Sequence, residues 1–128
     1  MTKFYDALET RNTQEREAAL LAALPGQVAH AQRHAPAFGQ ILAGVDAAGI
    51  TTRAALARLP VTRKHELHAR QQAARTTGDA HRSAGAGASA EDAFGGFAAT
   101  GFGAAMPRVF CSPGPIYEPE GASADYWR

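Results

Sequence analysis

The chain has 128 residues and a mass of 13.4 kDa, a length that allows one ordinary domain or part of one and excludes a two-domain enzyme. Its hydrophobic fraction is 45%, yet about 30 of those residues are alanine, and Leu, Ile, Val and Phe make up only about 16% of the chain, below the roughly 20% at which a core becomes thin. A net charge of +1 gives no global electrostatic attraction to nucleic acid or anionic membrane, and no run of about 18 apolar residues could span a bilayer.

In chain order, the first third reads as helical. Asn12 with Glu15 three residues on has capping-box spacing. Behind it Leu21, Leu24, Val28, Ala31 and Ala35 recur at steps of three and four, one face of an amphipathic helix. Pro25 and Gly26 predict a kink there or two consecutive helices. Pro36 closes that stretch, and Phe38, Ile41 and Leu42 form a short second helix stopping near Gly44. Thr52 is placed to cap a helix carrying Leu56 and Leu59 and stopped by Pro60, and Thr62 to cap another through Leu67 towards Arg75.

Residues 76–93 are rich in Ala, Gly, Ser and Thr without periodicity, the pattern of a flexible insertion. Beyond Phe94, glycines alternate with Phe94, Phe97 and Phe102, and Arg108 to Cys111 reads as one strand entering a Ser112-Pro113-Gly114-Pro115 turn. Ser123 is placed to cap a further helix that Arg128 cuts off after barely one turn, so the chain is expected to break off inside an element. The organisation expected is a helical lead-in over 1–75, the insertion over 76–93 and a strand with its loop over 94–128.

Several chemistries are weighed and set aside. Gly96 and Gly101 have Walker spacing, but Phe102 and Gly103 stand where Lys and Ser or Thr are needed, which leaves a turn with aromatic anchors. His30 with His34, and His65 with His68, share helix faces, but neither pair has a third ligand at zinc spacing, so no metal site is expected. Arg53, Arg58, Arg63, Lys64, Arg70 and Arg75 form a basic stretch without interleaved aromatics, a solvated face rather than a nucleic-acid surface. Cys111, the single cysteine, excludes an intrachain disulfide, fits a reducing, cytoplasmic setting, and is expected to be a buried structural residue rather than a nucleophile. No catalytic residue is identified. The segment with most chemical content is RVFCSPGPIYEPEG, Arg108 to Gly121, a strand leading into a rigid polar loop that reads equally as a loop of the kind that lines ligand sites in open α/β sheets or as a structural turn.

Those residues carry a resemblance. YDALETRNTQEREAALLAAL, then QVAHAQRHAPAF, then LARLPVTRKHEL resemble in order and spacing the N-terminal region of phenylacetate-CoA ligases and related AMP-forming adenylating enzymes, and RVFCSPGPIYEPEG falls where that family has its first sheet strand and phosphate-binding loop. The resemblance implies an α/β parent fold of which this chain is the mostly α-helical lead-in plus the first short β-strand. It implies a ligase that uses ATP and Mg to turn a small carboxylic acid into an acyl-adenylate and passes the acyl group to coenzyme A. Ser112 and Gly114 match the opening of the family's loop and Pro119 its closing proline, making these three the implied cofactor-binding positions. Pro113, Pro115, Ile116, Tyr117 and Glu118 stand in place of its hydroxyls, second glycine and lysine. The other pockets and the adenylation lysine of such an enzyme have no counterpart here, so the chain by itself is expected to be inactive and to bind no cofactor tightly. Its implied partner is the remainder of the ligase or a full-length ligase subunit, with no nucleic acid and no membrane. Two alternatives of other classes are a small helical interaction module docking through Leu21, Leu24 and Val28, and a weak nucleic-acid-binding helix cluster using Arg53 to Arg75.

Overall fold

The computed structural model describes residues 3–4, 6–83, 94–100 and 106–121, with the side chains of 77–83 also set aside. It is mostly helical with one small antiparallel sheet, in the order α1 (Thr13–His34), α2 (Pro36–Ile41), α3 (Arg53–Leu56), α4 (Lys64–Ser83), β1 (Val109–Ser112) and β2 (Ile116–Pro119), with single 3-10 turns at Ala7–Thr10 and Ala47–Gly49. The residues divide into two compact units, Met1–Ala29 with Gly44–Leu59, and His30–Ala43 with Pro60–Arg128. These units interleave in sequence.

In the first unit the N-terminus of α1 is fixed by a reciprocal cap. The Glu15 N–H donates to Asn12 Oδ1 at 2.8 Å and the Asn12 N–H to Glu15 Oε2 at 3.2 Å, so two of the helix's orphan donors are satisfied at once. The helix then runs unbroken through Pro25 and Gly26 to His34. A single missing N–H at Pro25 leaves only the Leu21 carbonyl without its helical donor, and the alanines around it sustain the helix; two separate helices do not form. Val28 is buried with Ile50 and Ala55 as the core of this unit, and Leu21 and Leu24 are half-buried beside it. Thr52 caps α3 through its Oγ1, which accepts from the Ala55 N–H at 3.1 Å, and α3 ends at Leu56.

The second unit gathers Ala35, Ala37, Leu42, Phe94 and Ile116 around two buried polar residues, Gln71 and Glu120. Its long helix α4 begins one residue later than Thr62 would set it. The Arg63 carbonyl accepts from the Leu67 N–H at 3.1 Å and the Arg63 N–H is taken by Glu66 Oε2 at 3.1 Å, so Arg63 occupies the capping position and an acidic side chain at the third helical residue closes it. The helix also passes Arg75 and reaches Ser83. Thr76 joins it by turning its hydroxyl back onto the Gln72 carbonyl at 3.0 Å, a local bond available to threonine inside a helix. The rest of the expected insertion, 84–93, and the expected helix after Ser123 lie outside the described residues.

Phe94 to Phe97 form a tight turn threaded between α2 and α4. Its central residues Gly95 and Gly96 have φ of 64° and 77°, the pair of positive values a type I′ turn demands. The Phe97 N–H closes the turn on the Phe94 carbonyl at 3.3 Å, and the Gly96 carbonyl accepts from the Ala37 N–H at 2.8 Å. Phe94 is buried, while Phe97 meets Phe38 edge-on with ring centroids 5.4 Å apart. The glycines are therefore punctuation between two aromatic anchors.

The strand read from the sequence is real but paired. β1 lies antiparallel to β2 with Val109 opposite Pro119, Phe110 opposite Glu118, Cys111 opposite Tyr117 and Ser112 opposite Ile116, so Ser112 to Pro115 closes a hairpin, and the segment read as a loop is its second strand. The hairpin is held on α4 by Gln71, which is 1% exposed. Its Nε2 donates to the Tyr117 carbonyl at 2.8 Å, and its Oε1 accepts from the Tyr117 N–H at 2.9 Å.

Two expectations follow. Gln71→Ala strips both partners from Tyr117 and lowers the unfolding free energy by at least about 1–3 kcal/mol, the range for a buried polar group left unsatisfied; Gln71→Glu, which at neutral pH buries a carboxylate oxygen against the Tyr117 carbonyl, destabilises at least as much in urea melts. Gly95→Ala places a methyl 2.8 Å from the Gln71 backbone nitrogen at a positive φ and destabilises by more than about 1 kcal/mol, whereas Gly26→Ala, inside α1 with nothing within 4 Å, raises stability by about 0.5–1 kcal/mol.

Candidate functional site

The segment with most chemical content sits on the hairpin. Ser112, half-buried, ends β1; Pro113, Gly114 and Pro115 are exposed in the turn; and Pro119, half-buried, ends β2. The Gly114–Pro115 peptide is cis. A methyl on Gly114 would lie 3.2 Å from Ile116 Cγ1 and 3.7 Å from His68 Cδ2, so the turn rests close to its own second strand and to α4.

The backbone polarity of this site follows from the ladder. The Glu120 N–H donates to the Arg108 carbonyl at 2.9 Å, and Tyr117 turns both its polar groups to Gln71. Antiparallel strands alternate, so 108, 110 and 112 face β2 and 109 and 111 face away. Since proline has no N–H, the turn itself presents one backbone donor, at Gly114. A phosphate cradle needs several converging amides, and the turn brings together Gly114 with Ser112 alone. Pro119 lies at the other end of the short hairpin, opposite Val109.

The charged residues of the hairpin serve its own closure. Glu120, 4% exposed, is gripped two-pronged by Arg108, Nε to Oε2 at 2.7 Å and Nη2 to Oε1 at 2.9 Å, the strong planar fit of guanidinium to carboxylate. Glu118, where the resemblance leads one to expect a lysine, is exposed beside it.

Half of the basic stretch is engaged, three of its six residues. Arg53 makes a two-pronged ion pair with Glu17 in the first unit. In the second, the Arg70 guanidinium lies 5.9 Å from the Phe97 ring centroid and 3.4 Å from Gln40 Oε1, on the rim of a hollow of about 320 Å³ floored by Ala37, Ala73 and Gly96. Arg75 stacks 4.8 Å over the Tyr117 ring, with Nη1 buried and no hydrogen-bond partner; the ring face takes the place of an acceptor. Arg58, Arg63 and Lys64 are exposed.

His30 and His34 are exposed, with rings 4.6 Å apart, and among the described residues no three His, Cys, Asp or Glu side chains come together as a ligand set. Cys111 is exposed, contrary to the expected buried residue, because β1 is the outer strand of a two-stranded sheet and its burial pattern is open on both faces. Phe102, Gly101 and Gly103 lie outside the described residues.

Gln71 is the residue that sequence reasoning missed, and Arg75, read as part of a solvated basic face, instead packs on Tyr117. The inward face of α4 is Leu67, His68, Gln71, Ala74 and Arg75, a stripe with helical spacing but a polar centre. It gives no hydrophobic signal, and the only visible clue is the position of Gln71 four residues after Leu67.

No family model, no curated protein and no solved structure matches the chain.

Of the titrating groups, Glu17 is held below its ordinary value of 4.5, chiefly by the hydrogen bond from Arg53; desolvation opposes this, and the Arg53 charge adds to the lowering. Arg53 is raised by the same pairing. A carboxyl lowered in the folded state stabilises it above the ordinary carboxyl value, and the contribution disappears as pH falls through the lowered value. Glu17→Gln is therefore expected to reduce stability at neutral pH and to converge with wild type in acid, measured as unfolding free energy against pH. A constant gap across the whole range would show that the pair contributes through packing alone.

Proposed function

We propose that this chain is the N-terminal portion of a phenylacetate-CoA ligase-like, AMP-forming carboxylic acid-CoA ligase, contributing the helical lead-in and first hairpin rather than the chemistry. The observation that supports the reading is the fit between the segments that resemble the family and the joints of the fold. YDALETRNTQEREAALLAAL spans the first 3-10 turn, the reciprocal Asn12–Glu15 cap and the first half of α1. QVAHAQRHAPAF runs from the buried Val28 into α2, LARLPVTRKHEL is the link from α3 to the Arg63–Glu66 cap of α4, and RVFCSPGPIYEPEG is the hairpin. Two of these segments thus cover the capped starts of α1 and α4, which is the support the fold lends to this reading.

In this reading the complete enzyme joins a small carboxylic acid to coenzyme A. The carboxylate displaces pyrophosphate from ATP to give an acyl-adenylate, and the coenzyme A thiol displaces AMP. The residues of the turn do not fit the triphosphate by themselves: one amide at Gly114, one hydroxyl at Ser112, prolines at 113 and 115 and a carboxylate at Glu118 supply too few donors and the wrong charge. Assignment of Ser112, Gly114 and Pro119 to nucleotide binding rests on the resemblance alone. The interaction-module reading is less favoured because Val28 is buried and Leu21 and Leu24 half-buried, leaving little of that face for a partner.

At the encoding locus, the sequence beyond the Arg128 codon is expected to continue, in frame or after a frameshift, into a sheet-rich adenylating domain, while the purified 128-residue protein shows acid-dependent pyrophosphate exchange at background. A genuine stop at that codon, together with a sharp cooperative melt of the isolated chain, would replace the ligase reading with the interaction module.

A further inference from the structure

The two edges of the hairpin differ. On the outer edge of β2 the outward positions are 115, 117 and 119, of which Pro115 and Pro119 carry no N–H and Tyr117 is satisfied by Gln71. That edge has no donor left for another strand. On the outer edge of β1 the outward positions are Val109 and Cys111, whose N–H and C=O groups have no partner among the described residues. Pro107 and Pro113 flank them, again without an N–H. Side chains along this edge are apolar and open: Val109 is 42% and Phe110 44% exposed.

The pattern is symmetric about Phe110. From Pro107 to Pro113 the sequence places a proline three residues to either side of Phe110 and an outward-facing residue one to either side. A second copy laid antiparallel on this edge, with Phe110 opposite Phe110, sets Val109 against Cys111 in both directions. All four outward N–H groups of the pair then meet outward carbonyls, and each proline meets a proline, so no donor is stranded. The edge is complementary in partial charge to itself, and two Phe110 side chains meet at the closely spaced, non-hydrogen-bonded position of the ladder, where side-chain pairs interact most strongly. Shifting the register by one residue turns these donors away from the partner, and shifting it by two sets prolines against N–H groups.

We infer that the outer edge of β1 is a self-association site at which two copies of this chain pair antiparallel through Val109 to Cys111, making one four-stranded sheet. The area is small. A four-residue edge falls short of the roughly 1,200 Å² that stable interfaces bury, so the dimer is weak and forms with rising concentration. The inference rests on the hairpin alone and is independent of the ligase reading.

Sedimentation of the full 128-residue protein under reducing conditions is expected to show an average mass rising with concentration from 13.4 kDa towards twice that value, and Val109→Pro, which removes an outward N–H at a position where edge strands tolerate proline, abolishes the rise with an unchanged circular dichroism spectrum. Register is read separately in a Cys111→Ser background. Phe110→Cys brings two thiols to the two-fold position within disulfide reach, and Val109→Cys leaves them beyond about 7 Å, so mild oxidation cross-links the first into dimers at least about tenfold faster than the second. A mass that stays monomeric at every concentration overturns the inference, as does equal cross-linking of the two variants. Should Val109→Pro fail to fold, the cross-linking pair decides the matter, because both substitutions lie at exposed positions.

Discussion

The second unit depends on one side chain behaving as backbone. Two strands of four residues are too short to be stable in water as a free hairpin, and among the described residues the element adjoining it is the helix α4, and a helix normally has no spare backbone groups to offer a sheet. Gln71 supplies the equivalent: its carboxamide has the donor and acceptor of a peptide group, and it pairs with both polar groups of Tyr117 as a third strand would. Burial to 1% exposure makes that pairing obligatory, since a carboxamide placed there without partners costs more than the pair contributes. The same logic governs the other end of the hairpin, where the buried Glu120 carboxylate is tolerated because Arg108 reaches it from a half-exposed position with two parallel bonds. One neutral and one charged polar contact thus do what a larger apolar core does elsewhere, in a chain whose bulky aliphatic and aromatic side chains are few.

Where local chemistry decides the structure, the sequence is legible. The Asn12–Glu15 cap, the Thr52 cap, the inward face through Leu21, Leu24 and Val28, and the strand expected at Arg108 to Cys111, which forms one residue later at Val109 to Ser112, all depend on residues within a few positions of one another. Legibility fails where a distant contact overrides local character. IYEP reads as loop because it holds a proline and a glutamate and follows another proline, yet these residues suit an outer strand, where a missing N–H costs nothing and an outward glutamate stays in water. Gln71 hides because burial on α4 follows a helical stripe of mixed polarity. Thr76 and its neighbours look like linker by composition, but a helix already nucleated at Arg63 extends through weak formers at small cost per residue. Cys111 was expected inside on the general behaviour of cysteine, and lies exposed on a strand that no other element among the described residues covers.

The same facts account for how little chemistry the candidate site displays. Four of the cations that could serve a nucleic acid or a phosphate are engaged locally, Arg53 on Glu17, Arg108 on Glu120, Arg70 and Arg75 on aromatic rings, while Arg58, Arg63 and Lys64 stay exposed. Cation–π stacking of this kind stabilises a fold of small side chains because the long guanidinium stem covers apolar area that alanine cannot. A segment whose charged groups are consumed in holding itself together is suited to be scaffold, which is the part the ligase reading gives it.

Proline placement then links the site to the edges of the sheet. An amide cradle and an extendable edge have one requirement in common, unpaired N–H groups aligned in space, and Pro113 and Pro115 remove them from the turn as Pro115 and Pro119 remove them from the outer side of β2. What the turn loses for anion binding, β2 gains as protection, since an edge without donors cannot template another strand. Only at Val109 and Cys111 does the pattern leave two donors in place, bracketed by Pro107 and Pro113. An edge meant only to be blunted would have a proline or a charged side chain among its outward residues; this one has valine and cysteine there and phenylalanine between them. The bracketing therefore limits the length and register of a contact rather than forbidding it.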